Sequence, residues 1–416
     1  MVKAVQFMTN VVTFEFEWRD LPLTSQSRLF LQIIGANVST SLRKLVLRAR
    51  IGNFAEFIAI SDFENIDEVD FDFDYDSMDN ALDQERKSLV EVVAPFINRH
   101  AQQLRTIIIS SSSRVDLSPF FQQLEYLPKL NRLGLRISFS LSYLSDPSVL
   151  PLLLGGLRAS LRHIEIVPKH LDGDGEQWRA NQHHADWANA SKILLARTEC
   201  LHNLISGEFP FTTPNQTFAI LGRSASTLQH LKLTGHFLDR PEVEGLLRLF
   251  AEHPFQLQYL WVGVKFLDRD LVALLARRLP GLRSLVLIYQ QTIASNSVDM
   301  DAVDRIACPY RGYSHFTLKD GDYAFADWPL EELSFHHNRY NAPVPLSSPY
   351  REIHHHFAMS NDVTTSFDLQ FALAFFDVIP SLSVVGGYAV HALLHPLPCF
   401  CIRKRAQKVR ALMSLQ

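Results

Sequence analysis

Apolar residues return along this chain in one short spacing, apolar-x-x-apolar-x-apolar. It appears in "LRKLVL" from Leu42, "LRTIII" from Leu104, "LNRLGL" from Leu130 and "LRHIEI" from Leu161. It continues in "LQHLKL" from Leu228, "LQYLWV" from Leu257, "LRSLVL" from Leu282 and "LEELSF" from Leu330. "LHNLIS" from Leu201 is a degenerate copy, and "IPSLSV" from Ile379 is a further candidate. The last three positions of each copy alternate, which predicts a short half-buried strand. Between the copies, "ERKSLVEVVAPFINRHAQQ", "DPSVLPLLLGGLRAS", "PEVEGLLRLFAEHP" and "DRDLVALLARRLPG" place apolar residues three and four apart and predict helices. Asp146 and Asp268 stand where such helices begin, as residues able to cap free N–H groups.

The window "IDEVDFDFDYD", residues 66–76, poses a choice between a metal loop and a strand. Asp70, Asp72, Asp74 and Asp76 occupy every second position. A calcium loop read from Asp72 would need Gly at its sixth position and Glu at its twelfth, and those positions hold Ser77 and Asp83. Ile66, Val69 and Phe71 also fit the recurring motif, so a strand is expected, with the carboxylates of Asp70 and Asp72 facing solvent and those of Asp74 and Asp76 beyond its end.

A strand–loop–helix unit of this size cannot bury its own apolar face, and stacking such units side by side can. Well-kept copies lie roughly 24 to 31 residues apart, within the range of leucine-rich repeats. The expected fold is therefore α/β: an irregular leucine-rich-repeat solenoid, with a curved parallel sheet on the concave face and helices on the convex face. Residues 1–385 are assigned to it. Residues 386–416 are read as a C-terminal cap or a basic tail, because "CIRKRAQKVR" from Cys401 leaves the repeat pattern.

Composition adds limits. The 416 residues are 47% hydrophobic and 20% charged, enough apolar material for a large core. A net charge of −4 gives no global field for nucleic acid or an acidic membrane, and neither is expected as a partner. The four cysteines, Cys200, Cys308, Cys399 and Cys401, form no disulfide framework and no paired zinc spacing, which suits a reducing compartment, cytoplasmic or nuclear. The N-terminal run includes Glu15 and Glu17 and does not read as a signal peptide.

Catalytic and metal signals are weak. His183–His184, His336–His337 and His354–His355–His356 are adjacent pairs and a triplet, whose side chains diverge on any regular element. The serine run from Ser110 to Ser113 has no nucleophile elbow, and the paired glycines lack a phosphate-binding pattern. No enzyme activity, metal or cofactor is expected. The concave face is the better candidate surface. Arg48, Asp70, Asp72, Ser110, Arg136, Glu165, Lys232, Thr234, Trp261 and His336 should project there, with Val46, Ile108, Gly134, Val286, Ile288 and Ser334 among them. An exposed tryptophan is a frequent binding hot spot.

The segment "VVAPFINRHAQQLRTIIISSSSRVDLSPFFQQLEYLPKLNRLGLRISF", residues 92–139, followed by "LSDPSVLPLLL", resembles the fungal F-box proteins with degenerate leucine-rich repeats. "VVTFEFEW" and "SLRKLVLRARIGNF" upstream are similar to the same family, and the resemblance spans about residues 10 to 385. It implies the substrate-recognition part of a cullin-RING ubiquitin-ligase receptor, with a protein partner on the repeats and an adaptor subunit held by an F-box. The family's F-box is not legible here, since repeat-like sequence starts near Val11. The alternative expectation is a repeat scaffold with no ligase link.

Overall fold

The computed structural model describes residues 10–18, 24–60, 63–73, 82–169, 186, 188–210, 213–292, 325, 327–337, 379, 381–382 and 384–387. The chain forms two compact units, residues 1–224 and 225–416.

In the first unit seven strands lie side by side in chain order: β1 (Thr13–Trp18), β2 (Lys44–Ala49), β3 (Glu68–Phe73), β4 (Thr106–Ser111), β5 (Arg132–Ile137), β6 (His163–Pro168) and β7 (Ser206–Pro210). Every neighbouring pair is parallel. Helices separate them, among them Ser25–Val38, Ile51–Ile60, Ala94–Arg99, Ser118–Gln123 and Val149–Gly156. The second unit continues the plan with β8 (His230–Leu238), β9 (Tyr259–Leu267), β10 (Ser284–Thr292), β11 (Glu332–His337) and β12 (Val384–Gly387), again parallel and in order. The helices Arg240–Leu249 and Arg269–Arg278 fill its first two crossovers. A parallel pair needs such a crossover connection.

Each motif copy supplies a strand, as its alternation predicts. The apolar positions turn to the helix side: Leu45, Leu47, Val69, Phe71, Ile107, Ile109, Leu133, Leu135, Leu231, Leu260, Leu285 and Leu287 are all buried. In the first unit phenylalanines extend this core. Phe54 packs edge-on against Phe71 and Phe73, with ring centroids 5.2 and 4.8 Å away, and Phe71 and Phe73 also meet Phe96 and Phe120. The degenerate copies hold too, with Leu201, Leu204, Ile379 and Leu382 at 0% exposure.

The second motif position carries a repeating backbone joint. The carbonyl of Arg43 accepts from the amides of Asp67 and Glu68, that of Asp67 from Arg105 and Thr106, and that of Arg105 from Asn131 and Arg132. In the second unit Gln229, Gln258 and Arg283 do the same for the next strand. A backbone bond needs no particular side chain, so this position drifts among Arg, Asp, Asn and Gln without harm to the stack.

Two helix starts differ in kind. Asp268 caps the helix Arg269–Arg278 through the Leu271 amide, as expected. Asp146 instead accepts from the amide and hydroxyl of Ser148 in the turn ahead of the helix, which begins at Val149 with Ser148 at its cap position. The strand reading of residues 66–76 holds for β3, whose burial alternates along its whole length. Asp74 and Asp76 lie outside the described residues.

Candidate functional site

The sheet face turned away from the helices carries the polar residues of each motif, and parallel register sets them in rows. One row of the first unit reads Glu15, Val46, Asp70, Ile108, Gly134, Glu165, Glu208. The next reads Glu17, Arg48, Asp72, Ser110, Arg136, Val167. A third, toward the strand starts, includes Lys44, Glu68, Thr106 and Arg132. Thus Arg48, Asp70, Asp72, Ser110, Arg136 and Glu165 share one face, as their spacing predicts.

The charges pair across strands. Arg48 meets Glu15 at 3.3 Å and Lys44 meets Glu68 at 3.6 Å. Arg136 donates through Nε to Glu165 at 2.5 Å, and Arg132 lies 3.9 Å from the same carboxylate. Lys169, just past β6, reaches Asp72 on β3 at 3.2 Å, with Ser110 and Arg136 between them in register.

The face is less open than its sequence suggests. Asp72 is 20% exposed and Lys169 12%. The expected solvent-facing position of Asp72 is therefore corrected: it sits half-buried under a lysine. Ser110 and Ile108 are buried outright. Ile108 packs against the bare Gly134 backbone, where a Cβ would lie 3.1 Å from its Cγ1. Asp70 lies between Val46 and Ile108, both buried, and is itself half-buried. Burial raises its carboxyl above the ordinary value, opposed by the charges of Arg136 and Arg48. It makes no hydrogen bond or ion pair with any described residue.

In the second unit Lys232 Nζ stands 4.8 Å from the centroid of the Trp261 ring, a cation–π contact across β8 and β9. Val286 and Ser334 continue this row. Thr234 does not join them. Leu233 to His236 stand opposite Val262 alone, a bulge that turns Thr234 inward to 1% exposure. Gly235, at φ 93°, supplies the left-handed residue the bulge needs, and the bulge carbonyl of His236 would lie 3.0 Å from a Cβ on Gly263. His336 lies at the far end of the face, where burial pulls its imidazole down to about 4. Past the exits of β8 and β9, a hollow of about 160 Å³ has Leu238, Asp239, Val243, Val264, Phe266 and Asp268 among its lining.

Other reactive groups are closed off. Burial pushes the Cys200 thiol up to about 12, and its Sγ donates to the Arg197 carbonyl at 2.7 Å. Asp186 is 1% exposed and accepts from the Ser138 hydroxyl at 3.0 Å, and no described residue bonds its Oδ1. Burial pushes its carboxyl up to about 6. Among the described residues no group of three or more His, Cys, Asp or Glu is placed to hold a metal ion. His183–His184 and His354–His355–His356 lie outside the described residues. Sequence reasoning missed Lys169, Arg132 and Lys44 as partners in the charged rows. The last two precede a motif strand position by a fixed offset and could have been found by it.

No protein-family model matches the chain, and no curated protein matches it either. Among the described residues no helix is long and apolar enough to cross a membrane.

Proposed function

We propose that the chain is a non-catalytic, leucine-rich-repeat type protein-binding domain. On this reading it is the substrate-recognition part of an F-box type ubiquitin-ligase receptor, and its polar sheet face holds the protein to be modified. The observation that carries the binding half is the set of registered rows, in which charged side chains from strands far apart in sequence are fixed in place by lateral pairs. Pre-paired side chains have little freedom left to lose, which favours association. The ligase half rests on the wording of residues 92–139 and on nothing in the geometry.

The test is proximity labelling in cells with the full chain and with Arg132→Trp, which adds bulk at an exposed position of the face. The binding reading expects a labelled partner that is lost with Arg132→Trp while the variant stays folded. The ligase reading further expects the adaptor and cullin among the labelled proteins, and a rise in the partner's level on deletion of the chain. A partner without adaptor or cullin, at an unchanged level, would leave a scaffold.

A further inference from the structure

We infer that the sheet face of the first unit takes a basic segment of a partner protein, with a lysine or arginine of that segment seated on Asp70. The inference rests on the binding reading above and names its partner chemistry.

The lysines and arginines of the three rows are already committed: Lys44 to Glu68, Arg48 to Glu15, and Arg132 and Arg136 to Glu165. Lys169, arriving from beyond β6, is committed to Asp72. Asp70 sits in the middle of this set and is bonded to none of them. Arg136, Arg48 and Lys44 act on it only through space. Its flanks in the same row, Val46 and Ile108, are apolar and buried, so they offer no donor. Asp70 is half-buried, and no described residue donates to its carboxylate. A cationic side chain from outside supplies the missing donor. Its charge matches a carboxylate that burial has partly desolvated. An acidic segment would meet the unbonded carboxylate of Asp70 and be repelled.

The probe is a fluorescein-labelled peptide, acetyl-Arg-Val-Arg-Val-Arg-amide, with its Glu-for-Arg counterpart as control, measured by polarisation on the full chain at low salt. The parent is expected to bind the basic peptide and not the acidic one, with binding weakened by added salt. Asp70→Asn keeps the side-chain shape, and it is expected to weaken basic-peptide binding at least 10-fold with an unchanged circular-dichroism melt. Equal binding by parent and Asp70→Asn, or no binding of the basic peptide by the parent, overturns the inference. Arg132→Trp adds bulk to the same face at an exposed position. Loss of binding in Arg132→Trp with none in Asp70→Asn would keep the face as a docking surface and remove Asp70 from it. Peptide binding that survives both variants would also remove the face.

Discussion

Asp186 offers the sharpest stability test. Its carboxyl is 1% exposed and accepts one bond from Ser138, and among the described residues its second oxygen has no hydrogen bond. Burial raises its pKa from 3.8 to about 6. The folded chain therefore holds a proton that the unfolded chain releases, and stability falls as pH rises. The contribution is fully present below about pH 4, drains away between about pH 4 and pH 6, and is gone above that. A shift of about two units corresponds to about 3 kcal/mol. Asp186→Asn keeps the shape and a bond to Ser138 and removes the titration. The variant should match the parent near pH 4 and exceed it by about 2–3 kcal/mol at pH 7. Hydrogen exchange in β5 and in the helix at residues 188–195, read across this pH range, follows the first unit directly. Ser138→Ala removes the bond that favours the charged form, so the same decline should move to higher pH. Parent and Asp186→Asn profiles that run parallel from pH 4 to pH 7 would refute the reasoning.

Two further outcomes are expected. The Lys169–Asp72 pair is mostly buried, so Asp72→Ala and Lys169→Met should each destabilise the first unit, and the double variant should cost less than their sum, with a coupling of about 1–3 kcal/mol by urea unfolding; strict additivity would mean the two side chains do not act on each other. Leu231→Asp puts a carboxylate at a position with 0% exposure in β8 and should cost several kcal/mol; a melt like the parent's would move Leu231 out of the core.

The strands were legible because their signal is local. In β3 three apolar and three polar residues alternate, and one strand decides the matter whatever lies beside it. The drifting second motif position did no damage, because its role belongs to the backbone carbonyl. What escaped notice depends on neighbours. Lys169 and Asp72 are 97 positions apart, and no periodicity joins them. The same is true of the exposure of Asp70, which is set by Val46 on one strand and Ile108 on another. Thr234 differs for another reason: strict alternation through "TGHF" predicts it on the polar face, but the glycine marks a bulge that turns it inward. Asp before Pro is a good start signal and predicts a cap at Asp146, but Ser148 stands closer to the first helical turn.

The pairing pattern bears on how such a face would select its partner. A carboxylate or guanidinium already bonded to its neighbour gains little from a new ion pair, since forming it means giving up the old one. Paired positions such as Arg136–Glu165 therefore set shape and exclude misfits, while contributing little to the choice between an acidic and a basic partner. The choice falls to positions where pairing is incomplete. At Asp70 a cation from outside adds a bond where no described residue supplies one, whereas an anion adds repulsion at a half-buried site. One half-buried carboxylate can thus bias a face whose other charges nearly cancel. The bias should be strongest at low ionic strength and should disappear with Asp70→Asn, while the paired side chains around it stay where they are.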